Sequence, residues 1–393
     1  MLKQLARSAV AALALTAAAH AASPFHRGVN VTRLFDSPQG SGGEIFAPWT
    51  NEISPAELAR LRGAGFDFIR LPVDPGALIA ASDPARAAAI GQLFDFLRAA
   101  QHAGFAVIVD LHPRPGGEFG PGAILTSPDG LKFTQYTALA KLLATRLQAS
   151  GNPRLALELM NEPQSECVRT SGTDWTVFQS RLYRDVRAAA PLLNLVVTGG
   201  CNSSVDGLQN LHLAGIRDQR LFVMVHFYEP HLFTHQGAPW SALTRGLAGL
   251  VYPPVASGEE QTLATSAAWA EQRRLPPDEG DAARRIRDYY GRPFDGTQIK
   301  DRLGIAAAWA DRQEIARDHV IVGEFGVMSE GGGLGTDAAA MRSRAQWLHD
   351  VSHAATSFGF GWAVWGYHGG FGIVSDNAER RLDPGVMLAL FGK

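Results

Sequence analysis

The chain has 393 residues, of which 46% are hydrophobic and 19% charged, and its formal net charge at pH 7 is −2. This composition is typical of a soluble globular protein with a large core, and the sequence has no block of Lys or Arg that would indicate binding to nucleic acid or to an anionic membrane surface. Length alone allows two or three domains, but an α/β barrel can use such a length as one domain.

The N-terminus has the pattern of a secretory signal peptide. Lys3 and Arg7 precede an apolar run over residues 9–19, and Ala19-His20-Ala21 offers a cleavage site with small flanking residues. Because the run is shorter than the roughly 20 apolar residues that span a bilayer, removal of residues 1–21 is predicted rather than a membrane anchor. We therefore expect a secreted or periplasmic protein whose mature chain, residues 22–393, does not contact a membrane.

Apolar runs bounded by glycine or polar residues recur eight times along the chain. Most are nearly continuous in apolar character rather than alternating, which is the pattern of parallel strands covered on both faces. The predicted strands are Gly28–Phe35, Phe66–Val73, Phe105–His112, Leu155–Pro163, Asn194–Gly200, Leu221–Glu229, Val320–Gly326 and Phe360–His368.

Helical patterns lie between these strands. In one of them Ile90, Leu93, Phe94 and Leu97 fall at positions i, i+3, i+4 and i+7, which places them on one face of a helix. The predicted helices are Pro84–Ala103, Leu131–Ser150, Thr173–Ala190, Asp301–Arg317 and Thr336–Ser357.

Strands that alternate with helices predict a single-domain (β/α)8 TIM barrel. A doubly wound open sheet is the main alternative, but no glycine-rich phosphate loop follows the first strand. The chain is longer than the roughly 250 residues typical of the barrel, and much of the excess lies in residues 236–298, between the sixth and seventh strands. We interpret this segment as an insertion on the active-site side, with a peripheral decoration as the alternative.

Two cysteines, Cys167 and Cys201, follow predicted strands in neighbouring strand–helix units. In an oxidising compartment a disulfide between them is expected. Two free, partly buried thiols are the alternative, because spacing alone does not establish the separation of the Cα atoms.

Active sites of (β/α)8 barrels form at the C-terminal ends of the strands, and polar or aromatic side chains occupy many of these ends here. They are Arg70, Asp110, His112, Asn161, Glu162, His226, Tyr228, Glu324 and Trp365.

Alternation along the fourth strand separates two sets of side chains. Glu158 and Glu162 share one face, and Leu155, Leu157 and Leu159 share the other. We expect the leucines to pack against helices and the polar set to face the barrel axis.

Two carboxylates at strand ends across a barrel fit glycoside hydrolysis, in which one acts as nucleophile or base and the other as general acid. Glu162 must hold a proton near neutral pH, so its pKa must be raised, whereas Glu324 must stay ionised and needs donors and a positive charge nearby. Arg70 is the candidate cation, and Tyr228 is a candidate hydrogen-bond donor to Glu324.

The ordered set of strand ends resembles family 5 of the glycoside hydrolases, the cellulase family of retaining enzymes on (β/α)8 barrels. The resemblance implies that Glu162 is the acid/base, that Glu324 is the nucleophile supported by Arg70 and Tyr228, and that Asn161 binds a sugar 2-hydroxyl. It is carried by Arg27-Gly28-Val29-Asn30, Ile69-Arg70-Leu71-Pro72-Val73, Asp110-Leu111-His112, Leu159-Met160-Asn161-Glu162-Pro163, His226-Phe227-Tyr228, Gly323-Glu324-Phe325-Gly326 and Ala363-Val364-Trp365.

The resemblance also implies that His112 and His226 line the subsite at the cleavage point and that Trp365 is its platform. Trp49 and Trp240 follow the first and sixth strands, so both fall on the functional face of the barrel. They are candidates for sugar stacking in outer subsites, with ordinary loop anchors as the alternative.

No metal or organic cofactor is expected. His231 and His235 are four residues apart, a ligand spacing on a helix, but Pro230 favours a loop there. Asp110 and Glu158 lie deeper than the other polar residues, and we expect them to pair with Arg or His because buried charges need partners.

The sequence thus predicts a monomeric, retaining, endo-acting β-glycoside hydrolase that cleaves a β-1,4-glucan polysaccharide or oligosaccharide by double displacement. Action on β-mannan, β-1,3-glucan or a bacterial exopolysaccharide, or exo action, stays open because the catalytic positions do not separate these substrates. A non-catalytic carbohydrate-binding barrel is the remote alternative, and it would be expected to lack one of the two carboxylates. Residues 331–333, a glycine run after the seventh strand, are expected to form a flexible lip beside Glu324.

Overall fold

A computed structural model describes residues 22–40, 43–165, 174–213, 216, 218–276 and 281–392. Eight parallel strands close into a barrel in sequence order, with the first strand paired to both the second and the eighth. This confirms the (β/α)8 prediction and excludes the open doubly wound sheet. The predicted signal peptide, residues 1–21, lies outside the described residues.

All eight predicted strands form, most of them shorter than predicted at the C-terminal end. A small antiparallel pair, the ninth and tenth strands, follows the barrel. The strands are β1 (Arg27–Asn30), β2 (Phe68–Val73), β3 (Ala106–Leu111), β4 (Leu155–Glu158), β5 (Asn194–Thr198), β6 (Leu221–His226), β7 (Val320–Phe325), β8 (Gly361–Val364), β9 (Val374–Asp376) and β10 (Arg381–Leu382).

Helices cover the barrel and extend from several loops. Across the described residues, no helix combines the length and apolar character needed to cross a membrane. The helices are α1 (Pro55–Ala64), α2 (Pro75–Ala80), α3 (Asp83–His102), α4 (Pro121–Ile124), α5 (Leu131–Ala149), α6 (Trp175–Ala189), α7 (Gly200–Ser203), α8 (Val205–Gln209), α9 (His231–Thr234), α10 (Glu259–Gln272), α11 (Ala282–Tyr290), α12 (Gly296–Gln313), α13 (Ala338–Ser357) and α14 (Pro384–Phe391).

Helix α12 differs from its prediction at both ends. It begins five residues earlier than Asp301 because Asp295 and Gln298 form a capping box, in which each side chain accepts a hydrogen bond from the other residue's backbone N–H. It ends before Glu314, whose φ of 58° is left-handed. The last three residues of the predicted insertion, 296–298, are therefore the first turn of this helix.

The alternation predicted for β4 is confirmed. Ala156 belongs to the cluster that fills the barrel interior. Leu155, Leu157 and Leu159 belong to the larger outer core between the sheet and the helices. This leaves the face of Glu158 directed toward the barrel axis. Met160 joins the outer core next to Leu159, so the alternation does not extend to Glu162, which lies beyond the end of the strand.

The loop after β6 packs closely against the loop after β7. The Gly333 N–H donates to the Gln236 carbonyl, and the Gly249 N–H donates to the Gly333 carbonyl, each at 2.8 Å. A Cβ atom built on Gly333 would lie 2.3 Å from the Leu247 carbonyl oxygen. The lip predicted at residues 331–333 is therefore fixed at Gly333, where the absence of a side chain permits close packing.

Replacing Gly333 with alanine is expected to destabilise the protein by about 1–3 kcal/mol, because the added methyl group must displace the backbone of the neighbouring loop. Gly246 lies in the same region, and a Cβ atom there would have no heavy atom within 4 Å. Thermal unfolding of Gly333→Ala and Gly246→Ala measures the difference. Equal midpoints in the two variants would contradict the packing described here.

Candidate active site

The strand ends bring the predicted polar residues together at the C-terminal end of the barrel. Arg70 and Glu324 lie within β2 and β7, and His226 is the last residue of β6. Asn161 and Glu162 follow β4 after a short connection. Together they line the end of the barrel where active sites of this fold form.

Glu324 is buried and is held by two hydrogen-bond donors. The Arg70 Nη1 donates to its Oε1 at 2.7 Å, and the Tyr228 hydroxyl donates to its Oε2 at 3.0 Å. Burial, together with the negative charges of Glu324 and Glu162, raises the pKa of Tyr228 well above its usual value, so its hydroxyl keeps its proton. One cation and one hydroxyl therefore stabilise the ionised form of Glu324.

A break in strand pairing aims Glu324 into the cleft. Val225 pairs with Val322, but the next residue, His226, pairs with Glu324, so Gly323 is the extra residue of a β-bulge. Val322 belongs to the outer core, whereas a Cβ atom on Gly323 would collide with an interior side chain. Simple alternation would turn Glu324 outward, and the bulge re-aims it.

Glu162 lies directly across from this carboxylate. Its side chain is 35% exposed, and its Oε1 is 2.9 Å from the His226 Nδ1. Its φ of 38° lies in the left-handed region that a glutamate rarely adopts, so the surrounding contacts must hold this strained backbone in place. Burial raises the pKa of Glu162 to about 7, although the charges of His112 and Arg70 lower it.

The two carboxyl groups are close enough for a covalent mechanism. One oxygen of Glu162, one oxygen of Glu324 and a ring nitrogen of His226 all lie within 4.8 Å of one another. Retaining glycosidases hold their carboxyl groups about 5–5.5 Å apart, whereas inverting enzymes separate them by roughly 6.5 Å or more.

His226 lies between the two carboxyl groups. Its Nδ1 is 3.6 Å from Glu324 Oε2, and burial lowers its pKa to about 4 despite the opposing charge of Glu324. The imidazole is therefore neutral at pH 7. Among the described residues, His226, Glu162 and Glu324 are also the group whose ligand atoms are near enough to hold a metal ion. The rings of His231 and His235 stack at 4.0 Å and are not part of that group.

Arg70 is fully buried and connects the strands beneath the cleft. It forms ion pairs with Asp110 at 2.9 Å and Glu158 at 2.7 Å, in addition to that with Glu324. Asp110 also contacts the His112 Nδ1 at 2.7 Å. The prediction that Asp110 and Glu158 pair with Arg or His is confirmed.

Opposing influences act on the pKa of Glu158. Burial raises its pKa to about 8, with a further contribution from Asp110, while Arg70 lowers it. Its two carboxyl oxygens both accept hydrogen bonds from Arg70, at 2.7 and 2.9 Å. Because a protonated carboxyl has only one oxygen free of hydrogen, this bidentate contact favours the ionised form.

His112 is shared between Asp110, Asn161 and Trp365. Burial alone would lower its pKa, but the Asp110 carboxylate raises it to about 9. The Asn161 Nδ2 lies 3.2 Å from its Nε2, a contact that is a hydrogen bond only when Nε2 carries no proton. The contact with Asn161 therefore favours the neutral imidazole of His112, whereas Asp110 favours its protonated form.

The orientation of the Asn161 side chain follows from a second contact. Its Oδ1 accepts from Arg70 Nη2 at 2.9 Å, so its amide nitrogen must face His112. The ring of Trp365 stacks on His112 at 5.8 Å with an interplanar angle of 18°. Trp365 is half-buried, so part of the indole is exposed.

The two outer tryptophans have different surroundings. Trp49 is half-buried and packs edge-on against Phe96 of α3 at 5.5 Å, which suits a loop anchor. Trp240 is 65% exposed. The nearby Ala238 clusters with Met328 and Phe371, against which Tyr228 and Trp365 pack. The first part of the predicted insertion therefore lies beside the site, and sugar stacking on Trp240 stays a prediction.

Only one of the two cysteines in the predicted disulfide lies among the described residues. Cys201 is described and is not a free thiol, whereas Cys167 lies outside the described residues. The pairing of these two cysteines stays a prediction.

Sequence reasoning gave no role to Asn30, the last residue of β1. Its Oδ1 accepts from Arg70 Nη1 at 3.0 Å, and its Nδ2 donates to the Gly323 carbonyl at 2.9 Å. It therefore links the cation to the bulge that carries the nucleophile candidate. The strand-end signal was hidden because the predicted first strand continued to Phe35, whereas β1 ends at Asn30 in the structure.

Comparisons with known proteins agree with this geometry. Residues 27–369 match the family model described as Cellulase, glycosyl hydrolase family 5. Endoglucanase C of Acetivibrio thermocellus is 23% identical over 350 residues, which cover 87% of this chain and 91% of that protein.

Two solved structures show the same fold. A hyperthermophilic endo-β-1,4-glucanase in complex with substrate has a TM-score of 0.68 at 21% identity, covering 94% of this chain and 97% of that one. The cellulose synthase subunit Z of Clostridioides difficile has a TM-score of 0.67 at 22% identity, covering 93% and 99%. Because the family model spans most of the sequence, the chain belongs to glycosyl hydrolase family 5 and is an O-glycosyl hydrolase.

Proposed function

We propose that the protein is a secreted or periplasmic, retaining, endo-acting β-glucanase that cleaves β-1,4-glucan by double displacement. The observation that carries the mechanism is the approach of the Glu162 and Glu324 carboxyl oxygens to within 4.8 Å. The substrate class rests on the similarity to endoglucanases, among them Endoglucanase C and the endo-β-1,4-glucanase.

In the first step Glu324 attacks the anomeric carbon and forms an ester bond, while the bond to the leaving oxygen breaks. Glu162 transfers its proton to that oxygen. The raised pKa of Glu162 keeps a proton available near neutral pH. Arg70 and Tyr228 each donate a hydrogen bond to one oxygen of the nucleophile and so hold it in place for the attack.

In the second step the ester is hydrolysed. Glu162, now a carboxylate, takes a proton from water, the water oxygen bonds to the anomeric carbon, and Glu324 is released. Glu162 recovers its proton and Glu324 its charge. Two displacements at one carbon retain the β configuration.

The experiment is hydrolysis of a panel of β-glucans, mannans and bacterial exopolysaccharides by the purified protein. We expect cleavage of β-1,4-glucan, with the viscosity of carboxymethylcellulose falling early relative to the appearance of reducing ends, because endo cleavage shortens chains from within. Proton NMR of the first products is expected to show the β-anomer before mutarotation.

The Glu324→Ala protein prepared in the same way controls for contaminating glucanase. An initial α-anomer would contradict retention, and release of short sugars without loss of viscosity would contradict endo action. Preferential cleavage of mannan or an exopolysaccharide would change the proposed substrate but not the proposed mechanism.

A further inference from the structure

Three carboxylates contact one guanidinium beneath the cleft. Arg70 has no exposed surface, and Asp110, Glu158 and Glu324 each lie within 2.9 Å of it. Glu324 takes part in the proposed chemistry, but Glu158 is fully buried and has no access to a sugar. The position of Glu158 therefore needs another explanation.

The two edges of the Arg70 guanidinium have different partners. Nε and Nη2 donate to the two oxygens of Glu158, at 2.7 and 2.9 Å. Nη1 lies on the other side and donates to Glu324 at 2.7 Å. Because a guanidinium is planar and rigid, fixing the edge held by Glu158 also fixes the direction of Nη1.

Asp110 does not fix the orientation of the Arg70 guanidinium in the same way. Only its Oδ2 contacts Arg70, through Nη2, and the same oxygen contacts His112. Asn30 and Asn161 each accept one further hydrogen bond, from Nη1 at 3.0 Å and from Nη2 at 2.9 Å. Each of these is a single contact, whereas the two-point contact of Glu158 defines the plane of the guanidinium.

The sheet places Glu158 firmly. It is the last residue of β4 and pairs in register with Asp110 on one side and Val196 on the other. Its side chain leaves a rigid strand on the face directed toward the barrel axis. A residue held in this way can locate a partner to within a fraction of an ångström.

We propose that Glu158 is a positioning residue for the nucleophile: by holding the Nε and Nη2 edge of Arg70, it directs Nη1 to Glu324. This inference rests on the proposed function of Glu324 as the nucleophile. Glu158 contacts no reacting atom and acts only through Arg70.

The test is Glu158→Gln, which has almost the same shape as the natural residue. The amide offers one acceptor oxygen, so one of the two Arg70 N–H groups would face an NH₂ donor and the guanidinium would turn away from Glu324. We expect kcat on a soluble β-1,4-glucan to fall on the order of 10²-fold, as a displacement near 1 Å can cause. KM is expected to change by about three-fold or less, because the lost contact acts on the transition state.

Measuring kcat well below the unfolding midpoint of each variant separates positioning from a merely structural role. A structural role predicts full kcat once the variant is folded, whereas a misdirected Nη1 lowers the kcat of the folded protein. Glu229→Gln is the matched control, since Glu229 makes a similar two-point contact with the Nε and Nη2 of Arg302. It is expected to keep the kcat of the natural protein.

Wild-type kcat in folded Glu158→Gln would overturn the inference. An activity loss that only tracks lost stability would do the same. If this variant does not fold, Glu158→Asp replaces it, and a similar loss of kcat is expected because the shorter carboxylate withdraws from Arg70. Failure of both to fold would assign Glu158 to stability and reject positioning. A natural protein inactive on every glycan would refute the proposed function instead.

Discussion

Replacement of Glu324 by alanine is expected to lower kcat/KM on β-1,4-glucan by a factor on the order of 10⁴ or more, as loss of a covalent nucleophile does in other enzymes. The fold should persist because Arg70 would keep its ion pairs with Asp110 and Glu158. Circular dichroism and thermal unfolding check that expectation, and initial rates measure the loss.

Azide distinguishes a missing nucleophile from general damage to this site. In Glu324→Ala the space beneath the anomeric carbon is empty, so azide can attack there while an activated aryl β-glycoside loses its aryl oxygen. The product is expected to be the α-glycosyl azide, formed by a single displacement with Glu162 still present as the acid. A variant with measurable hydrolysis and no azide product would contradict the assignment of Glu324 as the nucleophile.

Replacement of Glu162 by alanine is expected to lower the rate on unactivated glucan by about 10²–10⁴-fold, the usual contribution of a general acid. An aryl glycoside whose leaving group needs no proton should still react in the first step. Azide should then capture the glycosyl-enzyme from the open face and give the β-glycosyl azide. The two variants are expected to give glycosyl azides of opposite configuration, so each variant serves as the control for the other.

The pH profile gives a second test of Glu162. Its pKa is raised to about 7 by burial, and only the protonated form can donate, so kcat/KM of the natural protein should fall as the pH rises through about 7. The activity of Glu162→Ala on the activated substrate should lack this alkaline limb. An alkaline limb that survives in the variant would show that another group controls it.

The architecture could be predicted because its determinants are local. The apolar runs of the buried strands and the helical spacing of Ile90, Leu93 and Leu97 are visible in the sequence, and the structure confirms both. The start of α12 was misplaced because its capping box at Asp295 and Gln298 was not recognised.

The site was less fully predictable because part of it depends on contacts between distant strands. Glu162 and Arg70 could be identified from their residue types and from their positions near the ends of predicted strands. The role of Asn30 depends on closure of the barrel, which brings the first strand beside the seventh-strand bulge. Likewise, the glycine run near Gly333 was interpreted as flexible because its packing partner lies far away in the chain.

The bulge at Gly323 has a consequence for how this sequence can change in length. The segment between β6 and α12 joins the barrel beyond the last paired residue, so extra loop residues do not alter the pairing of His226 with Glu324. Because Gly323 is the extra residue, deleting it would place Glu324 directly after the outward-facing Val322 and keep its side chain on the axis side by regular alternation, whereas a regular strand that retained Gly323 would turn Glu324 toward the helices. Substrate range can therefore diversify through long loop insertions, while the seventh strand keeps Glu324 aimed inward only if its length and its bulge change together.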